Sequence, residues 1–247
     1  MRVVSLHADV LLATSAIWQT NCVIVRGKVE FDADNPVQVR IAAKPEPGAE
    51  TFVIDSPVLP EELDALPALL DRAGFPAPSG LLATHGDWDH LLGRLAFPEA
   101  ALGCAASTVG RLSADPGAAQ REMRAFDRQF YVKRPRPLGL GAIQALEVPG
   151  RCEIGSHELQ LHPAGGHTED GMAIWLDWGE VLVVGDYLST VEPPQVEGST
   201  DAYLATLERL RPLVESAGYV VPGHGPVLDG ERALDVLEEN LALVAAM

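Results

Sequence analysis

Short apolar runs separated by turn residues dominate the first part of the chain. Residues 3–12 and 17–25 are rich in Val, Ile and Leu, and Gly27 and Lys28 follow as a turn signal. These two runs predict a β-hairpin. A second pair of strands is predicted at residues 37–43 and 51–55, separated by prolines and a glycine that disfavour regular structure. The chain is therefore expected to open as a β-sheet.

A helical pattern interrupts these strands. Pro60 and two glutamates begin a predicted helix that runs to about Ala73, where Gly74 ends it. An apolar run at residues 81–83 follows and predicts the next strand. The order strand, helix, strand is typical of a layered α/β protein.

The middle of the chain changes character before strands return. Residues 103–141 have a helix-and-loop pattern, which we interpret as a helical cap, at about residues 104–141, inserted between two halves of a sheet structure. Later strands are predicted at residues 143–148, 157–162, 172–176, 181–184 and 219–221. The 247 residues are expected to form a single domain.

Composition and charge narrow the range of partners. Hydrophobic residues make up 47% of the chain, enough for a substantial core, and 35 acidic against 18 basic residues give a net charge of −17. This charge would repel nucleic acid and anionic lipid, so a small-molecule substrate is expected, with no nucleic-acid or membrane partner. Three widely spaced cysteines and the lack of a secretory pattern favour reduced thiols and a cytoplasmic location.

Four side chains that can bind metal lie within six residues. His85, Asp87, Asp89 and His90 directly follow the apolar run at 81–83, with Gly86 among them. A turn at a strand end can point such side chains into one pocket, and zinc, iron and manganese accept imidazole nitrogen together with carboxylate oxygen. The alternative is a polar loop whose aspartate caps the next helix.

Three later segments favour the metal-site interpretation. His167 follows two glycines after the predicted strand 157–162, and Asp186 follows the apolar run 181–184. His224 lies in a proline- and glycine-containing loop after residues 219–221. Every one of these residues is thus placed at the end of a predicted strand, where sites of layered α/β proteins are usually found.

Taken together, these motifs resemble those of the metallo-beta-lactamase superfamily. The matching segments are residues 21–24, 53–55, 84–90, 166–168, 184–186 and 221–225. The resemblance implies an α/β protein built as a four-layer αβ/βα sandwich, with two mixed β-sheets face to face and helices outside. It also implies a site for two metal ions along one edge of the sheets.

The resemblance assigns roles by position. One ion would be bound by His85, Asp87 and His167, the other by Asp89, His90 and His224, with Asp186 bridging the ions and Asp55 supporting the ligands. Asp89 and Asp186 would also be the catalytic residues. The sequence departs from the family pattern at Asp87, where a second histidine is usual. Zinc is the expected ion, and the harder oxygen ligand makes iron or manganese an alternative.

A basic segment contrasts with the acidic chain. Between residues 121 and 136, six basic residues oppose only Glu122 and Asp127. Arg121, Arg124 and Arg128 fall on one face of a predicted helix, where they could attract an anionic substrate. A solvated helix face without a binding role is the alternative.

The leading functional hypothesis is a metal-dependent hydrolase of an ester, thioester, lactone or related bond, with a metal-bound hydroxide as nucleophile. The chain has no Gly-x-Ser-x-Gly motif of serine hydrolases. Two other classes of protein fit the same residues. One is an iron-dependent redox enzyme similar to the persulfide dioxygenases or di-iron proteins of the superfamily, and the other is a non-catalytic metal-binding protein of the same fold.

Overall fold

The structure, a computed structural model, describes residues 1–28 and 49–247. Its first sheet contains seven strands in chain order. They are β1 (Arg2–His7), β2 (Val10–Thr14), β3 (Asn21–Gly27), β4 (Glu50–Ile54), β5 (Gly80–Leu82), β6 (Ala101–Ala105) and β7 (Ile143–Leu146). The strands from β1 to β4 pair antiparallel, and those from β4 to β7 pair parallel, so the sheet is mixed.

The second sheet contains five strands of the later part of the chain. They are β8 (Gly150–Ile154), β9 (His157–Pro163), β10 (Met172–Leu176), β11 (Val181–Val183) and β12 (Tyr219–Val221), in the spatial order β12-β11-β10-β9-β8. Only β11 and β12 pair parallel. Two mixed sheets are therefore present, as the resemblance implied.

Helices cover the sheets. They are α1 (Pro60–Ala73), α2 (Gly93–Ala96), α3 (Ala106–Ala114), α4 (Ala118–Gln129), α5 (Thr200–Ser216) and α6 (Gly230–Ala245). Three apolar clusters separate the layers. One joins the first sheet to α1 and α4, one joins the second sheet to α5 and α6, and the third lies between the sheets. The four-layer sandwich is thus confirmed.

Local signals explain why α1 has the predicted limits. Leu63, Leu66 and Leu70 are buried on one face, and burial of a leucine side chain contributes about 1.5–3 kcal/mol. Gly74 ends the helix with φ of 72°, a left-handed conformation that glycine adopts without steric cost.

Other predictions differ from the structure. The run at 3–12 forms two strands, β1 and β2, and the strand β6 occupies the start of the segment predicted as helix and loop. The helices α3 and α4 connect β6 to β7, which pair parallel in one sheet, so the change of sheet comes later, between β7 and β8. Parallel neighbours need such a crossover. The predicted strand 37–43 and the loop after it lie outside the described residues.

No helix within residues 1–28 and 49–247 combines the length and the apolar character that crossing a lipid bilayer requires.

Candidate metal centre

The seven predicted ligands meet at one edge of the two sheets. His85 and Asp87 follow β5, and Asp89 and His90 belong to the short 3-10 turn Trp88–His90. The remaining three follow strands of the second sheet, and they are His167 after β9, Asp186 after β11 and His224 after β12. Loops from different sheets thus supply one cluster of polar side chains.

A first group consists of His85, Asp87, His167 and Asp186, whose candidate ligand atoms all lie within 4.8 Å of one another. Asp87 Oδ2 is 3.4 Å from His85 Nε2 and 3.6 Å from His167 Nε2. Asp186 Oδ2 is 3.3 Å from His167 Nε2. These four atoms surround a space of the size that one divalent ion needs.

A second group consists of Asp89, His90 and His224, whose candidate ligand atoms also lie within 4.8 Å of one another. Asp89 Oδ2 is 3.5 Å from His224 Nε2 and 3.8 Å from His90 Nε2. The side chain of His90 is fully buried. Two imidazoles and one carboxylate are a common set of protein ligands for zinc or iron.

Asp186 contacts both groups. Its Oδ1 is 3.3 Å from His90 Nε2, and its Oδ2 is 3.4 Å from His224 Nε2 and similarly near the first group through His167. The side chain is 9% exposed. A single carboxylate between two sets of imidazoles is suited to bridging two cations.

The outer nitrogens of the histidines are held by polar partners. His85 Nδ1 is 3.1 Å from Thr84 Oγ1, which donates to Asp55 Oδ2, and His167 Nδ1 donates to the Gln195 carbonyl at 2.9 Å. His90 Nδ1 is 3.0 Å from the same Asp55 oxygen, a close approach that lacks the geometry of a hydrogen bond. A proton held on Nδ1 leaves the lone pair of Nε2 free to bind a metal.

Several inward-facing atoms are buried but unpartnered among the described residues. They are the Nε2 atoms of His85, His90 and His167 and the Oδ1 atom of Asp186. Buried polar atoms without a hydrogen bond are costly, so their convergence on one point calls for a ligand. Nitrogen and carboxylate donors of this kind fit divalent metal ions.

The loop that carries His224 is fixed by Asn21 at the start of β3. The Asn21 side-chain amide donates to the carbonyls of Pro222 and Gly225, both at 2.8 Å, and its backbone N–H donates to the Gly223 carbonyl. Residue 21 begins one of the motifs noted in the sequence, and the structure gives its physical reason. Asn21 fastens a loop of the second sheet to a strand of the first.

The acidic and imidazole groups shift one another's pKa values. Burial lowers the pKa of His167, but Asp87 and Asp186 outweigh this effect and raise it to about 9. Burial alone would raise the pKa of Asp186, yet His90 and His85 hold it well below its usual value. The site therefore stabilises ionised carboxylates that lie next to positively charged groups.

Metal affinity should depend on pH. Because the pKa of His167 is about 9, an entering ion must displace a proton from this side chain at any lower pH. The pKa values of His90 and His224 are raised as well, so at least one proton is displaced, and affinity should rise by roughly tenfold or more per pH unit up to about pH 9. Competition of Zn²⁺ or Mn²⁺ with a chromophoric chelator between pH 6 and 9 measures this slope.

A control for this experiment is His157→Gln, because His157 stacks on Trp178 and belongs to neither group of candidate ligands. This variant should show the wild-type slope. A pH-independent affinity of the wild-type protein below pH 9 would contradict the prediction.

The predicted basic stripe lies on α4, but two of its members are already engaged. Arg121 pairs with Asp115 at 2.6 Å, and Arg124 donates to the backbone carbonyls of Arg134 and Arg136. Arg128 is exposed, with no ion pair among the residues that the structure describes. Within residues 1–28 and 49–247, no hydrogen bond or ion pair joins any of the three to the two metal-binding groups, so a role in substrate binding stays a prediction.

Two residues at the site were missed by sequence reasoning. Arg111, on α3, places Nη2 2.7 Å from Asp87 Oδ1. Glu192 lies in the loop after β11, with a carboxylate oxygen within 4.8 Å of ligand atoms of Asp186 and His224. Neither residue belongs to a recognisable motif, and only the tertiary structure brings them to the site.

Comparison with known proteins gives a consistent result. The family model described as the metallo-beta-lactamase superfamily matches residues 47–224. Two curated relatives, the type 2 metallo-beta-lactamases of Bacillus sp. (strain 170) and Bacillus cereus, are 31% identical over 98 and 100 residues. These alignments span 38% of this chain and 38% and 37% of the relatives, so the chain matches well under half of their length.

Solved structures match over nearly the whole chain. A metallo-beta-lactamase from Pontibacter korlensis aligns with a TM-score of 0.67 at 15% identity, covering 100% of this chain and 99% of that one. A metallo-beta-lactamase family protein from Thermus thermophilus aligns with a TM-score of 0.68 at 18% identity, covering 98% of this chain and 81% of that one. A sec-alkylsulfatase from Pseudomonas sp. aligns with a TM-score of 0.69 at 14% identity, covering 98% of this chain and 41% of that one. At these identities the likeness concerns the fold alone.

Proposed function

Because this chain belongs to the metallo-beta-lactamase superfamily, we propose that its two groups of histidine and aspartate hold a pair of divalent metal ions and hydrolyse a small-molecule substrate. The superfamily fold supports a metal-dependent hydrolase in general. The observation that carries the proposal is the convergence of buried, unpartnered imidazole nitrogens on both oxygens of Asp186.

The proposed ligands follow the two groups. The first ion would be held by His85, Asp87 and His167, the second by Asp89, His90 and His224, and both by Asp186. Zinc is the first candidate for a set with four imidazoles. Manganese or iron is the alternative, because the proposed ligands also include three carboxylates, which are harder donors.

The chemistry requires no nucleophile from the chain. When bound, two divalent ions lower the pKa of water and polarise the carbonyl that is attacked. The chain's own contribution is to orient the ligands. Asp55 fixes the imidazoles of His85 and His90 through the contacts described above, and Asn21 fixes the loop of His224. We assign Asp89 and Asp186 as the catalytic carboxylates, because each places an oxygen beside His224 Nε2, at 3.5 Å and 3.4 Å.

An exposed aromatic surface adjoins the second group and supports a substrate with an apolar part. Trp18 is 46% exposed, and its ring centroid is 6.5 Å from that of His224. Phe126 packs against Trp18 at 4.9 Å, and Phe130, 45% exposed, extends the surface. We therefore propose that the ester, thioester or lactone carries an alkyl or aryl group that lies against these rings.

A second candidate is an iron-dependent redox reaction. It is favoured by the number of carboxylates, since Glu192 adds a fourth near Asp186 and His224. Oxygen-rich ligand sets are typical of manganese and iron sites. The two candidates require different metals and different co-substrates.

The test combines metal analysis with a small panel of substrates. Protein purified without added metal is analysed for zinc, manganese and iron, and is then assayed with p-nitrophenyl acetate, p-nitrophenyl octanoate, a γ-lactone, an acyl thioester and a β-lactam. Two equivalents of metal with hydrolysis that a chelator abolishes are expected. One equivalent of iron with oxygen consumption and no hydrolysis would replace the hydrolase proposal by the redox alternative.

A further inference from the structure

Asp87 brings to the first group a charge and a geometry that an imidazole does not have. A carboxylate has two oxygens, and both can bind one cation or two neighbouring ones. In the structure the two oxygens have different surroundings. Oδ2 faces His85 and His167, whereas Oδ1 is 2.7 Å from the guanidinium of Arg111.

Arg111 is itself fixed from the other side. Its Nη1 donates to Asp170 Oδ1 at 2.9 Å, and the Asp170 side chain is 2% exposed. Asp170 also accepts from the Gly86 backbone N–H at 2.9 Å and from the Thr168 hydroxyl at 2.8 Å. The guanidinium is thus placed by a buried carboxylate that also holds the turn preceding Asp87.

The charges support the same arrangement. The Arg111 side chain is 37% exposed and that of Asp87 is 26% exposed, so the pair lies at the mouth of the site and is only partly screened by water. A guanidinium stays protonated throughout the working pH range. Shared between Asp87 and Asp170, it offsets part of the negative charge that Asp87 adds, without competing for the oxygen that faces the histidines.

We infer that Arg111 is a positioning residue that makes Asp87 a one-oxygen ligand of the first ion. It does so by occupying Asp87 Oδ1 and by neutralising part of the carboxylate's charge. The inference rests on the proposed function, because it concerns the ligands of the first ion. Asp87 and Arg111 form a matched pair, so a histidine at position 87 should be unfavourable while the arginine is present.

The test is a double-mutant cycle read out by metal affinity. The proteins are wild type, Arg111→Ala, Asp87→His and the double variant, each titrated with Zn²⁺ and Mn²⁺ against a chromophoric chelator. Arg111→Ala should lower the affinity for one of the two ions by about 10- to 100-fold, as expected for the loss of a residue that orients a ligand. The affinity for the other ion should stay within about threefold of the wild-type value. In the Asp87→His background the same substitution should raise affinity or leave it unchanged.

This reversal separates the inference from a purely structural role. If Arg111 only stabilised α3 through Asp170, its loss would lower affinity in both backgrounds alike. Arg111→Lys keeps the charge but loses the two-pronged geometry, and should restore part of the affinity. It also serves if Arg111→Ala does not fold. The matched control is Arg151→Ala, which removes an exposed ion pair with Glu158 and should change the affinity for neither ion.

Wild-type binding of two ions with unchanged affinities in Arg111→Ala would overturn the inference and leave the proposed function standing. Tighter binding in Arg111→Ala would also overturn it, because Arg111 would then compete with the metal for Asp87. A wild-type protein that binds no divalent ion would refute the proposed function itself.

Discussion

Asp186→Ala should release both metal ions and reduce hydrolysis by at least about a thousandfold, since loss of metal assistance costs several kcal/mol of transition-state stabilisation. The reason is geometric. Asp186 reaches both groups, with Oδ1 near His90 and Oδ2 near His167 and His224. Its removal takes one carboxylate from each proposed ion and leaves only Asp87 at the first and only Asp89 at the second.

Metal content by elemental analysis after gel filtration is the direct measurement. The matched control is Asp71→Ala, at an exposed position of α1, which should keep both ions and full activity. An Asp186→Ala protein that retains two ions would show that this carboxylate does not bridge them.

Gly223→Ala should disable the site through a single methyl group. A Cβ at position 223 would overlap Asp186 Oδ1 and come within 3.0 Å of His90 Cε1. Since Asp186 is buried, its carboxylate cannot turn aside without leaving the position that both groups share. Displacement of a ligand by about 1 Å predicts a loss of roughly a hundredfold or more in activity and a parallel loss of metal affinity.

The control is Gly139→Ala, because a Cβ at residue 139 would meet no heavy atom within 4 Å. Circular dichroism and thermal unfolding of both variants distinguish a local effect from misfolding. Wild-type metal affinity in Gly223→Ala would mean that the Asp186 carboxylate is not held where the structure places it.

Elements that depend on neighbouring residues can be predicted from the sequence, whereas elements that depend on tertiary contacts cannot. The helix α1 is predictable because Pro60, its acidic first turn and Gly74 are local signals. The strand β6 escapes prediction because alanine, glycine and cysteine have little intrinsic strand preference, and burial between parallel neighbours decides its conformation. The strand β8 escapes it because its alternation of polar and apolar residues covers only Arg151 to Ile154, which is too short to be distinguished from a turn.

The same distinction applies to the candidate site. The seven candidate ligands can be found because each follows a strand within a short motif, and the structure brings all seven together. Arg111 and Glu192 cannot, since Arg111 reaches the site from a helix, and Glu192 follows Asp186 in the same loop without belonging to a recognisable motif. The role of Asn21 in fastening the His224 loop is equally hidden, because its partners lie about 200 residues away.

The position of the site between the sheets has a consequence for the survival of the protein. The loop after β5 in the first sheet supplies the ligands between His85 and His90, and loops of the second sheet supply His167, Asp186 and His224. The proposed ions would therefore cross-link the two halves of the chain. An ion that binds only the folded state, at a free concentration of about 100 times its dissociation constant, adds about 2.7 kcal/mol to the free energy of unfolding. Without bound metal the protein would therefore lose activity and also unfold more often. Proteases would then degrade it faster, because they cleave the unfolded chain.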